Sequence, residues 1–255
     1  TVSLFTDYKY NQPDSLERNP EAFHNTLDEL DDIEESLMFI AHPGREWSSG
    51  GEFFEEYGEG DMYHSSWWID LFYDHPIESL IGIEVFNRGD RYPHDRRLWD
   101  VILSETMPER PVWGLGNDDY HGDDLTSGIH MSYTTQLMDA PYSEEGLKHA
   151  LKNGHFFTSN TNNVMDHAPL VSSIAVDEEA RTITIEGSEY DKIEWFYGTT
   201  GADEFFESVV VHEGETFEYG SFEGNYVRAR LIRDEGGSGE AKTLTQPFGF
   251  TQESE

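Results

Sequence analysis

Two short runs of nearly continuous apolar residues, at residues 35–41 and 81–87, constrain the fold of this chain most strongly. A strand that is covered on both faces has this composition, and such strands occur mainly in parallel sheets flanked by helices. Segments with the apolar spacing of a helix lie before, between and after the two runs. Strand and helix therefore alternate through the first half of the sequence, which predicts a parallel sheet of the α/β type.

The starts of three helices are marked by residue types that favour them. Asn19 precedes Pro20, and a proline fits the first helical position because the N–H group that it lacks would have no partner there. Asp95 and Ser143 are predicted to cap the helices that follow them. A short polar side chain at that position accepts a hydrogen bond from the free N–H groups of the first turn.

The pattern changes after Pro169. Seven short segments of alternating character follow, separated by Gly, Asp and Glu turns, at residues 171–176, 181–186, 192–196, 208–211, 216–219, 226–232 and 243–250. Alternation at this spacing predicts an antiparallel β-sandwich. We therefore predict two domains, at residues 1–165 and 166–255.

The chain is strongly acidic, with 52 Asp and Glu residues against 16 Lys and Arg residues and a formal net charge of -36. Disorder does not explain this charge, because 16 Phe, 13 Tyr and 6 Trp residues are enough to build a core. The acids are spread along the whole sequence, a pattern typical of halophilic proteins, whose surfaces need salt to screen their self-repulsion. Such a surface excludes nucleic acid and anionic membranes as general partners.

Two absences from the sequence narrow the function further. The chain has no cysteine, which excludes disulfides, thiolate metal sites and a cysteine nucleophile. It also has no apolar run of about eighteen residues, which predicts that it does not span a membrane. We place the protein in the cytoplasm and leave secretion open, because the sequence starts at Thr1 without an initiator methionine.

Polar residues capable of chemistry follow the predicted strands. His42 comes directly after the first apolar run, and residues 114–122 form the loop Gly-Leu-Gly-Asn-Asp-Asp-Tyr-His-Gly. Residues two apart in an extended loop point to the same side, so Asp119 and His121 can converge on one point. A carboxylate and an imidazole together suit a divalent transition metal. A solvated acidic turn, and a histidine that merely ends a strand, stay open as alternatives from these residues alone.

Three motifs resemble those of the polymerase and histidinol phosphatase (PHP) family of metal-dependent phosphoesterases, and in particular its carbaryl-hydrolase-like metallohydrolases. They are Ile-Ala-His-Pro-Gly-Arg at residues 40–45, Gly-Ile-Glu-Val-Phe-Asn at 82–87 and Gly-Asn-Asp-Asp-Tyr-His-Gly at 116–122. The segments at residues 150–157, 226–229 and 246–248 are similar to the linker and sandwich of that subgroup. The resemblance therefore covers nearly the whole chain.

The resemblance implies a fold, a reaction and a set of site residues. The fold would be the later part of a distorted β/α barrel of the PHP type, followed by the sandwich. The reaction would be hydrolysis of a small-molecule phosphoester or related ester by a metal-activated hydroxide, with two or three Zn, Mn or Fe ions in the complete protein. The implied metal ligands are His42, Asp119 and His121; Glu84 would support them, and Arg45, Asn87 and Arg88 would contact the substrate.

The sequence departs from the family in one motif. The family's first motif, a His-x-His near its amino terminus, has no counterpart among these residues. We therefore expect a metallohydrolase domain that is incomplete at its amino terminus or has lost those ligands, and weak catalysis by this chain alone. The alternative function is not catalytic: a degenerate PHP domain whose sandwich binds carbohydrate or protein.

Overall fold

The computed structural model describes residues 2–6, 20–44, 65–120, 131–137, 141–161, 167–198, 208–236 and 239–251. Of these residues, 41% lie in strands and 23% in helices, so the described part of the protein is mostly β. Its helices are α1 (Pro20–Asp31), α2 (Ser65–Asp74), α3 (His94–Thr106) and α4 (Glu144–Lys152). No helix in these ranges is both long enough and apolar enough to cross a membrane.

The described strands number fourteen and form three sheets. They are β1 (Val2–Leu4), β2 (Leu37–Ile40), β3 (Leu80–Asn87), β4 (Trp113–Asn117), β5 (Ser132–Gln136), β6 (Phe156–Asn160), β7 (Leu170–Asp177), β8 (Thr182–Ser188), β9 (Lys192–Tyr197), β10 (Val209–Glu213), β11 (Thr216–Glu218), β12 (Tyr226–Asp234), β13 (Glu240–Leu244) and β14 (Phe248–Gly249).

The first sheet has the strand order β1-β2-β3-β4. Strands β2, β3 and β4 run parallel, with Ile40 beside Ile83 and Asn87 beside Asn117, whereas β1 is antiparallel to β2. Every residue of β2 and β3 is buried, as their continuous apolar sequence requires. The three parallel strands therefore end at one common edge.

Helices α2 and α3 supply the aromatic side chains of the largest core. Trp68, Phe72 and Trp99 are at most 1% exposed and pack with residues of β2 and β3. The indole N–H of Trp99 donates to the carbonyl oxygen of Val112 at 2.8 Å, which satisfies the only polar group of that side chain. This contact fixes α3 against the start of β4.

The remaining strands form two antiparallel sheets. One has the order β10-β9-β12-β13-β6-β5, with β14 beside β12, and the other has the order β11-β8-β7. A second core between them contains Ile185, Trp195 and Leu231, each fully buried, with Phe217 at 4% exposure. Strands β8 and β11 alternate between buried and exposed residues, as their sequences favour, whereas β9 and β12 are buried on both faces and β7 and β10 have no buried residue.

The predicted fold class, a PHP-type β/α barrel, is wrong for this structure, because none of the described sheets closes into a barrel and strands dominate. The parallel sheet stops at β4. A barrel would place β5 and β6 in the parallel sheet. Here β5 pairs with β6, and β6 pairs with β13, in the antiparallel sheet. Side chains instead of a further strand bond the free edge of β4.

Those edge contacts come from β5, β6 and the segment after β13. Gly114 donates its N–H to Gln246 Oε1 at 2.8 Å and accepts at its carbonyl oxygen from Gln246 Nε2 at 2.9 Å. Gly116 bonds in the same way to the hydroxyl of Thr134, at 3.0 and 3.1 Å. The approach of β5 and β6 requires glycine at position 116, since a Cβ there would lie 2.9 Å from Cγ2 of Thr158.

The predicted domain boundary between residues 165 and 166 stays a prediction. Two features connect the segments on either side of it. Strand β6 pairs with β13 in one sheet, and the buried guanidinium of Arg228 bonds both carboxylate oxygens of Asp100, at 2.7 and 2.5 Å. Tyr226 adds a hydrogen bond to the same carboxylate at 3.1 Å. Helix α3 therefore contacts β12 directly, and β6 belongs to the same sheet as β13.

Candidate functional site

The carboxyl ends of β2, β3 and β4 bring three of the predicted site residues to one edge. His42 lies two residues after β2, Glu84 lies within β3, and Asp119 lies two residues after β4. Because these strands are parallel, their carboxyl ends lie at the same edge of the sheet, and the end of β2 lies beside Ile83, next to Glu84. Open α/β sheets place their ligand sites at this edge.

Glu84 is the centre of this edge and is completely buried. One carboxylate oxygen accepts the backbone N–H of His42 at 2.6 Å, and the other accepts the side-chain amide of Asn87 at 2.9 Å. Burial raises the pKa of Glu84 to about 7, and repulsion from Asp119 acts in the same direction, while the two donors act against it. The carboxyl group therefore holds the turn at His42 and titrates near neutral pH.

Asp95 is a second buried carboxyl at the same edge, again with no exposed surface. It accepts the backbone N–H of Gly44 at 2.5 Å, and its Oδ2 has no hydrogen-bond partner among the described residues. Burial raises the pKa of Asp95 to about 8, with a further contribution from Glu84.

The prediction that Asp95 caps α3 is wrong: Pro93 occupies the cap position without a side-chain bond, since Asp95 faces Gly44 instead. Ser143 does cap α4, accepting from the N–H of Gly146 at 3.0 Å.

The backbone at this edge is strained. His42, Arg88, Asp90 and Asp119 have φ angles of 34°, 41°, 27° and 46°, in a region that residues with a side chain seldom occupy. Each of the four lies beyond the end of a parallel strand. Strain of this kind persists where surrounding contacts enforce it, and it is concentrated at functional sites.

The other predicted site residues have separate environments. Asn87 is buried, and its amide holds Glu84 while its Oδ1 has no partner among the described residues. Arg88 is exposed at the strand end. Asp119 is half-buried, and its N–H donates to Asn117 Oδ1 at 2.8 Å. Arg45 and His121 lie outside the described residues, so the ligand set of His42, Asp119 and His121 stays a prediction.

A different group has the arrangement of a metal site in the described part of the chain. It consists of Asp28, Asp31 and His75, each of which offers one ligand atom within 4.8 Å of the other two. This group can hold a metal ion. It is the only group of three His, Asp or Glu residues within that limit in the ranges that the structure describes.

Sequence reasoning missed this group for a physical reason. Asp28 and Asp31 lie three residues apart on α1, which is also the spacing of an ordinary solvated helix face. His75 is 44 residues from Asp31 and has no motif around it. The one available signal was the series His24, Asp28 and Asp31 on one side of a helix, and in a chain with 52 acids that signal is weak.

Comparison with known proteins adds no relative. No family model, no curated protein and no solved structure matches this chain. The likeness to the PHP family therefore rests on sequence motifs and segments alone.

Proposed function

We propose that this protein is a metal-dependent hydrolase, most simply a phosphoesterase, with its site at the carboxyl ends of β2, β3 and β4. One observation supports this most: His42, Glu84 and Asp119 lie on neighbouring parallel strands or just after them, where Glu84 accepts the N–H of His42 and is near enough to Asp119 for repulsion to raise its pKa. A purely structural edge would not need a buried carboxyl between a histidine and an aspartate.

The donor atoms at this edge suit a divalent metal. Imidazole and carboxylate ligands favour Zn, Mn or Fe, and the edge also contains two buried polar atoms without a described partner, Asn87 Oδ1 and Asp95 Oδ2. A bound ion would polarise the scissile ester and lower the pKa of a water molecule, which removes the need for a side-chain nucleophile. We propose His42, Asp119 and His121 as its ligands.

The residues around the ligands have positioning roles. Glu84 accepts the N–H of His42, and Asp95 accepts the N–H of Gly44, so two buried carboxyls fix the backbone of one turn. That turn aims the imidazole of His42. Arg88 is exposed at the same edge, where its guanidinium can contact two oxygens of a phosphate group. Arg45 and Asn87 complete the proposed substrate contacts.

A hydrolysis assay tests this proposal. The chain is incubated in molar salt with Mn²⁺ or Zn²⁺ and an aryl phosphate, an aryl phosphodiester or an aryl carbamate. We expect slow hydrolysis, because no His-x-His supplies ligands for a second ion, and we expect it to stop on chelation. Asp119→Asn should lower the rate by at least about 100-fold. Removing a contact that supports a metal ligand already costs about 10- to 100-fold in activity, and removing the ligand itself should cost at least as much.

The matched control is Glu178→Gln, an equal loss of charge on the exposed part of the sandwich, which should leave the rate unchanged. Hydrolysis that survives chelation, or that Asp119→Asn does not reduce, would refute a metal-dependent reaction at this edge.

A second candidate function is carbohydrate binding by the sandwich. Half-buried rings of Tyr219, Phe222 and Phe250 line a groove beside Arg181 and Glu223, and the rings of Tyr219 and Phe250 stack with centroids 4.9 Å apart. Aromatic faces flanked by polar groups suit sugar rings. Absence of hydrolysis together with saccharide binding that Tyr219→Ala abolishes would favour this function.

A further inference from the structure

The group formed by Asp28, Asp31 and His75 lies at the opposite end of the parallel sheet from the strand-end site. Helix α1 ends at Asp31 shortly before β2 begins, and His75 follows α2 shortly before β3 begins. Ser79, the residue before β3, donates its hydroxyl to Asp31. The group is therefore fixed at the amino ends of β2 and β3.

The distance along β3 separates this group from the proposed catalytic edge. Five residues lead from Ser79 to Glu84, and a strand rises by about 3.3 Å per residue, so roughly 16 Å lie between them. One ion cannot contact both places. Any ion bound by Asp28, Asp31 and His75 is a second and independent one.

The hydrogen bonds of His75 leave one ring nitrogen as an electron-pair donor. His75 is 2% exposed, and its Nδ1 lies 2.6 Å from Asp31 Oδ2. Because an ionised carboxylate only accepts, Nδ1 donates to Asp31, and in the neutral imidazole the lone pair is then on Nε2. A carboxylate behind a histidine in this way also orients metal-ligating histidines and makes them more basic.

A second imidazole faces that lone pair. Nε2 of His75 lies 3.5 Å from Nδ1 of His24, and the two rings are stacked with centroids 5.7 Å apart. Two nitrogens that bind one tetrahedral Zn²⁺ at about 2.0–2.1 Å are roughly 3.4 Å apart. Asp28 is one helical turn from His24 on the same side of α1. The three side chains are thus spaced for one ion.

The charge of the group also favours a cation. Asp28 and Asp31 contribute two carboxylates, and no lysine or arginine in the described ranges forms an ion pair with either. The partner of Asp31 is a buried imidazole instead. A divalent ion would neutralise both acids, which a hydrogen-bonded group of the same residues would not do.

We propose that Asp28 and His75, with His24 beside them and Asp31 orienting His75 from behind, form a second site for a divalent transition metal of the zinc type, and that its role is structural. The ion would connect α1 to the segment between α2 and β3, two parts of the chain that are more than 40 residues apart in sequence. Open α/β sheets place their chemistry at the carboxyl ends of the strands, so an ion at the amino ends would contribute to stability instead. Binding would therefore raise stability without taking part in hydrolysis.

Metal titration of an Asp119→Asn protein tests this site, because that substitution disables the proposed catalytic edge. Chelator-treated protein in molar salt is titrated with Zn²⁺ by calorimetry and with Co²⁺ by visible absorption, which reports nitrogen ligation. We expect one ion per chain and a rise in the melting temperature on binding. Adding Asp28→Asn should weaken binding by at least about 10- to 100-fold and remove the rise in melting temperature.

The matched control is Asp32→Asn, which removes the same charge from an exposed neighbour on the same stretch of chain and should leave the affinity unchanged. Asp28 is exposed, so its substitution does not endanger folding. An Asp119→Asn protein that binds no Zn²⁺, or equal affinities of the Asp28→Asn and Asp32→Asn variants, would overturn the proposal. Neither outcome depends on whether the strand-end site is catalytic.

Discussion

Two buried carboxyl groups, Glu84 and Asp95, are the residues through which the strand-end site is held in place. Neither has any exposed surface, and each accepts one N–H group of the turn at His42–Gly44. A buried carboxylate is costly unless it is fully hydrogen-bonded or paired with a cation. Burial accordingly raises the pKa of Glu84 to about 7 and the pKa of Asp95 to about 8. Without a bound metal, ionisation of these two carboxyl groups therefore lowers the free energy of unfolding by an amount that depends on pH.

The first prediction concerns that penalty at Glu84. Its pKa rises from an ordinary 4.5 in the unfolded chain to about 7 in the fold, so between these pH values the folded protein binds more protons and its stability falls as pH rises. The loss amounts to about 3 kcal/mol at pH 8, since one pKa unit corresponds to about 1.4 kcal/mol. Glu84→Gln should remove this contribution, because a neutral amide keeps an acceptor for His42 and Asn87 can turn its own unpartnered oxygen towards the new amide.

Denaturant unfolding at pH 5 and pH 8, with chelator present, measures the effect. We expect Glu84→Gln to be more stable than the parent protein at pH 8 and to show a smaller difference between the two pH values. Glu178→Gln, on the exposed part of the sandwich, is the control. An unchanged pH dependence in Glu84→Gln would show that Glu84 is ionised in the fold at pH 5.

At the level of secondary-structure elements, contacts at the outer edge of β4 join the first sheet to the antiparallel sheet that contains β5, β6 and β13. Gly114 and Gly116 present backbone groups that no further strand of the first sheet pairs in the described ranges. Gln246 and Thr134 bond them instead, and Thr158 adds a bond to the carbonyl oxygen of Gly114 at 2.6 Å. The antiparallel sheet thus covers an edge that would otherwise be open to other chains.

The second prediction concerns Gln246, which is 8% exposed. Gln246→Met keeps the approximate volume but leaves the N–H group of Gly114 buried without a partner, which costs about 1–3 kcal/mol. Thermal or denaturant unfolding measures this loss. Gln136→Met, on the half-exposed end of β5, should change stability by less than about 0.5 kcal/mol. Equal effects of the two substitutions would mean that the Gln246 contacts do not hold β4.

The elements themselves were largely predictable, but their pairing was not. The apolar run at residues 35–41 contains β2, and the run at 81–87 covers all of β3 except Leu80, because burial on both faces leaves a local signature. Nothing local specifies that β6 pairs with β13, whose paired residues are more than 80 positions away. Pairing of that kind depends on side chains that meet only in the folded chain, such as Gln246 at Gly114.

The candidate sites divide in the same way. His42 and Asp119 could be singled out as candidates because each follows a predicted strand, and α/β sheets place ligand sites at that position. The roles of Asp95 and Asn87 as buried contacts could not be predicted, since a polar residue beside a helix start or strand end is more often a cap or a surface residue. His75 carries no sequence signal, because its partners Asp31 and His24 lie on α1, more than 40 residues earlier in the chain.

At the scale of the whole molecule, the surface charge opposes the compact fold. The formal net charge is -36 over 255 residues, and its excess of acid is spread along the chain. Self-repulsion of this size is screened only when the Debye length, about 10 Å at 0.1 M salt, falls to about 3 Å at 1 M. Compactness should therefore depend on salt, independently of either metal site.

The third prediction is a rise in stability with salt. In chelator, the melting temperature and the sharpness of the unfolding transition should both increase between dilute buffer and molar KCl, because repulsion between exposed carboxylates weakens. Circular dichroism or calorimetry over that range provides the measurement. A melting temperature that is the same at low and molar salt would rule out halophilic adaptation as the reason for the acidic composition.

The most direct test for a catalytic metal at the strand ends is the anomalous scattering of crystals grown in molar salt with Zn²⁺ or Mn²⁺. We expect an ion at the carboxyl ends of β2 and β4, with the His42 imidazole nitrogen and an Asp119 carboxylate oxygen about 2.0–2.2 Å from it. An ion at Asp28, Asp31 and His75 would show in the same map that metal was available to the protein. Anomalous density there, or elsewhere on the chain, with none between His42 and Asp119, would contradict the assignment of a catalytic metal to the strand ends.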